Sequence, residues 1–253
     1  MESFTQPAGI TAWWNTILTA GLFAKTILFV LLCLSIISWT IIFKKLFLFW
    51  AIKRENRILL SLFAHRRNAA QFQKAVADYK NSPLAKILAG GLKEWSNLKK
   101  QLGFTDSLAG SNPKSPTITL NLLSQILPNV SEAMNRVSSI ELAQAEKFLP
   151  FLATVSSVSP FLGLLGTVWG VLAALINVKT IPVVTLQIIA PGVSDALITT
   201  VAGLLVAIPA LMFYNYFVGK LKDLAAESER FISEVLGDLR KEIVIAKDVI
   251  PYE

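Results

Sequence analysis

Apolar and polar positions alternate in long blocks along this 253-residue chain. Three apolar runs stand out: residues 26–43, a run within 148–176, and a third at about 193–218. Each is close to the ~20 apolar residues with which a helix crosses ~30 Å of hydrocarbon. The pattern therefore predicts three transmembrane helices.

The polar stretches between these runs have helical periodicity. Apolar positions recur every three to four residues from Leu84 to Trp95, and again in the segments 127–140 and 224–243. Ser82-Pro83 predicts a helix start, and we expect the helix through residues 127–146 to continue unbroken into the second span. The predicted fold is an all-α membrane protein with three transmembrane helices, the second and third extended into a cytoplasmic helical bundle.

The positive charges are confined to two parts of the chain. Of the 24 Lys and Arg, 16 lie between Lys44 and Lys147 and six lie from Lys220 onward. Because cytoplasmic segments of membrane proteins are enriched in Lys and Arg, we expect the N-terminus outside and the C-terminus inside. The net charge of +7 thus follows from topology and does not indicate nucleic-acid binding.

The predicted segments are a periplasmic N-terminus (1–20), transmembrane helix 1 (21–45), a cytoplasmic helical region (46–147), transmembrane helix 2 (148–176), a periplasmic loop (177–190), transmembrane helix 3 (191–218) and a cytoplasmic C-terminal helix (219–253).

One acid lies inside the third apolar run. Residues 148–219 carry only two formal charges, Lys179 and Asp195. A carboxylate at the centre of a bilayer costs roughly 2.5–3.5 kcal/mol or more, so a chain that keeps one there uses it or neutralises it. Asp195 is either a helix N-terminal cap, since acids favour first turns, or a protonatable site deeper in the helix. Thr199 lies one turn further on the same helix face, and Thr200 faces elsewhere.

Small residues follow one face of the second apolar run. Close helix packing explains such a stripe, because small side chains let two backbones approach in a bilayer. A polar path lined by hydroxyl groups is the other interpretation. The stripe comprises Ser156, Pro160, Gly163, Thr167, Gly170 and Ala174, with Gly166 beside it.

The sequence offers no pattern for covalent catalysis. His65 and Cys33 are the only residues of their types, and neither has the neighbours that a metal site or a disulfide needs. No nucleotide-binding loop or catalytic triad is present. We therefore expect no enzymatic activity, no metal and no cofactor.

Two motifs resemble a known family. The segment 159–170, SPFLGLLGTVWG, and the segment 190–197, APGVSDAL, followed by Gly203 and by the run AIPA at 207–210, are similar to the second-span and third-span motifs of the TolQ/ExbB group of proton channels, which is distantly related to MotA. The resemblance implies a proton pathway through Asp195, Thr167 and Thr200, with Thr199 beside them. Asp195 stands where the family usually has glutamate. The positions implied to pack the helices and line the pore are Pro160, Gly163, Gly166, Gly170, Gly203 and Pro209.

The resemblance also implies an assembly in the bacterial inner membrane. It suggests a homopentamer around a dimer of a TolR/ExbD-like single-span protein, with a TolA/TonB-like protein further out, membrane lipid around it, and protons as the coupling ion. The segment 185–187 slightly favours the TolQ branch and Tol-Pal type envelope maintenance. An ExbB-like energiser of TonB-dependent uptake, a flagellar-type stator and a non-conducting membrane scaffold remain as alternatives.

Overall fold

The computed structural model describes residues 21–64, 79, 81–101, 116–179 and 185–248. Within these ranges the side chains of residues 64, 99–101, 116–125, 195 and 242–248 lie outside the description, as do the predicted N-terminal segment 1–20 and His65. The described residues form five α-helices and no strand: α1 (Leu22–Ala64), α2 (Pro83–Gln101), α3 (Pro116–Glu146), α4 (Leu149–Val178) and α5 (Leu186–Asp248).

Three stretches of this fold are long and apolar enough to cross a membrane. They are Leu22–Phe63, Ile126–Val178, which contains all of α4, and Leu186–Lys241. Only a minority of the residues in their apolar stretches is buried within the isolated chain, so hydrocarbon or other protein has to cover the rest. The predictions of an all-helical fold and of three candidate spans are confirmed for the described residues. The segment boundaries relative to a membrane stay predictions.

The chain divides into two compact units. The first unit comprises residues Met1–Lys44 and Phe148–Phe217, and the second comprises Lys45–Lys147 and Val218–Glu253. In the first unit, ring pairs join α1 to the other two apolar helices. Phe23 packs on Trp169 with ring centroids 4.6 Å apart, and Trp39 meets Phe213 edge-on at 6.1 Å.

The second unit has a hydrophobic core drawn from α1, α2, α3 and α5. Phe63 and Phe231 meet edge-on at its centre, with ring centroids 5.2 Å apart. The sequence pattern predicted most of this core, but Ile140, expected on the buried face of α3, is exposed. The buried face of α3 is formed instead by Ile126, Val130, Ala133 and Met134. The buried residues of this core are Leu59, Phe63, Leu84, Ala85, Ile87, Leu88, Ile126, Val130, Met134, Phe231, Ile232 and Val235.

A buried polar node ties three helices of the second unit together. Ser82 caps α2 by accepting a hydrogen bond from the Ala85 N–H at 3.2 Å, and its hydroxyl donates to Asn56 Oδ1 at 2.7 Å. The Asn56 amide in turn donates to Glu227 Oε2 at 2.8 Å. The predicted helix start at Ser82-Pro83 is therefore confirmed, with Ser82 as N-cap and Pro83 at the first helical position.

The expectation of one unbroken helix from α3 into α4 is wrong. α3 ends at Glu146 and α4 begins at Leu149, and between them Phe148 adopts the left-handed conformation with φ 72°. Pro150 lies in the first turn of α4. Proline has no N–H for the carbonyl four residues earlier, and its ring clashes with that carbonyl, so a continuous helix through Glu146 is disfavoured.

Lys45 is buried at the start of the second unit. Its Nζ donates a hydrogen bond of 2.6 Å to the carbonyl of Ala145, in the last turn of α3. Carbonyls in the last turn of a helix lack partners within the helix, and a cation placed there also interacts favourably with the helix dipole. Lys45 therefore stabilises the end of α3 next to the break.

Candidate functional site

Helices α4 and α5 pack together through glycines. A Cβ atom on Gly163 would lie 2.9 Å from the carbonyl oxygen of Thr199, and one on Gly203 would lie 3.2 Å from the Cα of Gly163. Further along, a Cβ on Gly170 would lie 2.7 Å from that of Ala196. Main-chain atoms oppose glycine positions on both helices, so this seam has no room for larger side chains.

Two threonines of α5 contact one carbonyl of α4, so the expectation that Thr200 faces a different neighbour from Thr199 is wrong. Thr199 Oγ1 lies 3.1 Å from Gly163 O, and Thr200 Oγ1 lies 3.2 Å from the same oxygen. Thr199 is completely buried, and its single hydroxyl proton is shared between Gly163 O and the carbonyl of Ala196, 2.7 Å away in its own helix. Hydrogen bonds between apolar helices contribute about 0.6–2 kcal/mol each in a membrane. Thr199 is therefore a seam residue.

Thr167 lies on the flank of the seam. Its hydroxyl donates to Leu164 O in the same helix at 2.7 Å, and its side chain is partly exposed. Ser156 and Pro160, which share the predicted stripe with Thr167, are partly exposed as well. The helix contact itself uses Ser159, Gly163, Gly166, Gly170 and Ala174, so the contact face is rotated from the predicted stripe toward Ser159 and Gly166.

Asp195 belongs to the interior of α5. The helix begins at Leu186, nine residues before Asp195, so the acid does not occupy the first turn and is not an N-terminal cap. Its neighbour Ala196 is buried against Gly170 in the seam, whereas Ser194 is exposed. The side chain of Asp195 lies outside the described part of the structure. Its predicted role in proton transfer stays a prediction.

Prolines interrupt the hydrogen bonding of both helices. Pro160 lies inside α4, and Pro191 and Pro209 lie inside α5. Each removes one N–H donor from its helix, and such prolines are tolerated in membrane helices because neighbouring groups satisfy the freed carbonyls. Pro160 and Pro209 are both partly exposed, and neither is among the glycine contacts that close the seam.

Sequence reasoning missed Ser159 and Gly192 as seam residues. Ser159 is completely buried, and its hydroxyl has no hydrogen-bond partner among the described residues. Gly192 lies against Ala174, with a Cβ there only 2.8 Å from the alanine Cβ. The four-residue spacing of Ser159 and Gly163 was the available signal for the first. Gly192 carried no such signal, because residues 177–190 just before it were predicted to form a loop.

The described residues contain no cluster of three or more His, Cys, Asp or Glu side chains that could hold a metal ion. They do contain two apolar helices in tight contact, with hydroxyl groups in and beside the contact. One acid, Asp195, belongs to the interior of α5. Fold and site together define a helical membrane protein whose polar groups are concentrated at a helix–helix seam.

Comparison with known proteins identifies the family. Residues 80–230 match the MotA/TolQ/ExbB proton channel family, and the chain belongs to that family. It is 31% identical to the Tol-Pal system protein TolQ of Haemophilus influenzae, over 89% of this chain and 92% of the relative. It is 29% identical to the Tol-Pal system protein TolQ of Pseudomonas aeruginosa, over 94% and 96%. Identity to the biopolymer transport protein ExbB of Salmonella typhimurium is 26%, over 92% and 84%. The resemblance to the TolQ/ExbB group, and the preference for its TolQ branch, are confirmed.

Proposed function

We propose that this chain is the proton-conducting subunit of an inner-membrane motor that uses the proton motive force to energise an outer-membrane process of the Tol-Pal type. The observation that carries the proposal is the position of Asp195, well inside an apolar helix of a protein from a proton channel family. An acid in that setting can take up and release protons as its surroundings change.

The packing of α4 and α5 supports a route along the flank of the seam. Gly163 and Gly203 bring main-chain atoms of both helices into direct contact, which leaves no space for water or ions between the helices. Thr167 lies beside this contact with a partly exposed side chain. A proton path along Thr167 is therefore open on the side away from the α4–α5 contact. Another protein chain has to enclose it on that side. A ring of like subunits, proposed here as a pentamer, supplies that chain.

The driving force and the partners complete the proposal. One elementary charge that crosses the membrane gains about 2.3 kcal/mol per 100 mV, and we propose that this energy shifts a ring of subunits relative to helices at its centre. We propose that those helices come from a dimer of a TolR-like single-span protein, and that a TolA-like protein carries the motion outward. Names of relatives such as the Tol-Pal system protein TolQ support this choice.

Asp195→Asn tests whether proton flux requires a titratable side chain at residue 195. The substitution keeps the size of the side chain and removes its titration, so we expect proton flux through the full-length protein, reconstituted with its single-span partner, to fall to the background of empty vesicles. Asp195→Glu is the matched control, since it keeps the carboxyl group, and it should retain flux. Full flux in Asp195→Asn would exclude the proposed protonation role. Assembly without flux in both the wild type and Asp195→Asn would favour the scaffold.

Thr167→Val and Thr199→Val extend the same experiment to the hydroxyl groups. The Thr167 hydroxyl bonds within its own helix, so its loss should leave assembly intact and reduce flux if the path follows the flank. The Thr199 hydroxyl bonds across the seam, so its loss should lower thermal stability. Equal losses of flux and stability in both variants would contradict this assignment.

An ExbB-like energiser of TonB-dependent uptake is the second candidate, supported by the 26% identity to the biopolymer transport protein ExbB. The Tol-Pal type function and the ExbB-like function can be distinguished in cells that carry Asp195→Asn. A Tol-Pal type function predicts a loss of envelope integrity, measured as leakage of periplasmic protein, with unchanged TonB-dependent outer-membrane uptake. An ExbB-like function predicts the reverse.

A further inference from the structure

In the second unit, helix α1 carries an exposed basic face. Trp50 is 64% exposed, and the guanidinium carbon of Arg54 lies 5.8 Å from the centroid of its ring. Lys53, Arg54 and Arg57 are exposed, and none of them forms an ion pair with another described residue. Trp and Arg are enriched among the residues that carry binding energy in protein–protein contacts. These four residues, Trp50, Lys53, Arg54 and Arg57, are called the basic face below.

Helix α5 carries an exposed face with two acids in the same unit. Asp223 and Glu229 are exposed on either side of the small residue Ala226. Glu229 forms no ion pair with another described residue, and Asp223 remains 71% exposed although it pairs with Lys220. These three residues, Asp223, Ala226 and Glu229, are called the acidic face below. The exposed charges of residues 219–237 sum to −1, whereas the basic face carries +3; they are Lys222, Asp223, Glu229, Arg230 and Glu234.

Both faces point away from the hydrophobic core of the second unit. Arg54 lies two residues from the buried Ile52, and two residues are about 200° of rotation around a helix. On α5, Ala226 has the same relation to the buried Leu224. The two faces therefore do not meet within one chain, and each is open to another protein.

Helices α1 and α5 run in the same direction through the second unit. Asn56 of α1 donates a hydrogen bond of 2.8 Å to Glu227 of α5. Further along both helices, the ring of Phe63 meets the ring of Phe231. The Asn56–Glu227 contact therefore marks the same level on both helices, from which the heights of other residues can be counted.

Counted from that contact, the charges of the two faces lie at matching heights. At 1.5 Å per residue, Arg54 lies about 3 Å before the contact and Arg57 about 1.5 Å beyond it. Asp223 lies about 6 Å before the contact and Glu229 about 3 Å beyond it. In a ring of identical copies whose axis runs along the helices, every copy lies at the same height. Helix α1 of one copy then meets α5 of the next with the two arginines between the two acids.

We propose that the basic face of one copy of this chain docks on the acidic face of the neighbouring copy, with Arg54 and Arg57 against Asp223 and Glu229. Such a contact joins two different surfaces, and contacts of this kind generate rings when the rotation closes. Complementary charges at an interface select the partner and fix its register. The inference rests on the ring of like subunits proposed above and does not involve the proton path.

The test measures the mass of the full-length protein in detergent by light scattering over a dilution series. We expect Arg54→Glu/Arg57→Glu to raise the concentration at which the assembly dissociates at least about tenfold, because like charges then face each other. Asp223→Arg/Glu229→Arg should have the same effect. The variant with all four substitutions again places opposite charges together, and its dissociation midpoint should return to within about threefold of the wild type.

The matched control, Lys93→Glu/Arg136→Glu, reverses two exposed cations on α2 and α3 of the same unit, and it should keep the wild-type midpoint. Three results would overturn the proposal: an unchanged midpoint in either double variant of the two faces, an equal loss in the control, or no recovery with all four substitutions. A wild type that stays a single chain would refute both this contact and the ring. Because the mass is measured without proton flux, a wild type that assembles but does not conduct would refute conduction alone.

Discussion

At the residue scale, the α4–α5 seam depends on positions where a single methyl group is too large. Gly163, Gly170 and Gly203 face backbone or Cβ atoms of the opposite helix, and such atoms cannot move aside as the end of a flexible side chain can. Gly90 and Gly91 of α2 differ, because a Cβ there would meet the side chains of Val137 and Met134. The seam therefore tolerates substitution less well than the core of the second unit.

Gly203→Ala should destabilise the protein by about 1–3 kcal/mol, the usual cost of overpacking. The added methyl group would lie 2.5 Å from the carbonyl oxygen of Ser159, which is main chain. Gly219→Ala in the same helix is the matched control, since nothing lies within 4 Å of its Cβ position, and it should be neutral or stabilising by up to about 1 kcal/mol. Thermal unfolding in detergent measures both. Equal unfolding midpoints for the two variants would show that the α4–α5 contact has room for a methyl group at residue 203.

At the element scale, the break between α3 and α4 is the feature that a helical pattern alone did not reveal. Apolar spacing continues across residues 140–152, so periodicity indicated one helix. Pro150 was the available signal for the break, and Phe148 then takes the left-handed conformation with φ 72°. A left-handed residue other than glycine costs roughly 1–2 kcal/mol, which the surrounding packing has to offset.

Comparing the stabilities of Phe148→Gly and Phe148→Ala tests whether the helix is broken at residue 148. Both remove the aromatic ring, so they differ only in how well the new residue tolerates a positive φ. We expect the glycine variant to be more stable than the alanine variant by about 1 kcal/mol. In a continuous helix the order would reverse by a similar amount, because alanine is the better helix former. The sign of the difference in unfolding midpoint therefore decides between a break and an unbroken helix.

At the scale of the whole molecule, α1 and α5 each contribute residues to both compact units. In the second unit they are joined by the node of Asn56, Ser82 and Glu227, whose hydrogen bonds span up to 171 positions of the chain. A buried polar group that loses its partner costs about 1–3 kcal/mol. The node therefore fixes the register of α1 against α2 and α5 more strictly than apolar contacts do.

Ser82→Ala should lower the stability of the second unit by about 2 kcal/mol. The substitution removes the N-cap of α2, which costs about 1 kcal/mol, and leaves Asn56 Oδ1 without the hydroxyl that donates to it. Ser96→Ala is the matched control, because that hydroxyl is exposed and bonds only to Lys93 O in its own helix. Hydrogen exchange of the α2 amides gives the local measurement. Equal exchange rates in the two variants would contradict the role of the node.

The sequence predicted the parts of the molecule that depend on composition and short-range spacing. Three apolar runs sufficed for the candidate spans, Ser82-Pro83 for the start of α2, and two motifs for the family. The exact face of the α4 contact was not predictable, because Ser156 and Ser159 both continue the small-residue spacing and only the position of α5 selects between them. The convergence of Thr199 and Thr200 on Gly163 O also depends on the angle at which two distant segments meet.

The glycine seam has a mechanical consequence. Main-chain atoms on both sides are in direct contact, and two hydroxyl groups bridge to one carbonyl. Sliding α4 along α5 by one turn would bring Cβ-bearing residues into gaps that admit only hydrogen atoms. In the motor proposed above, α4 and α5 would therefore move as one rigid pair, and any displacement would occur where this pair meets other helices.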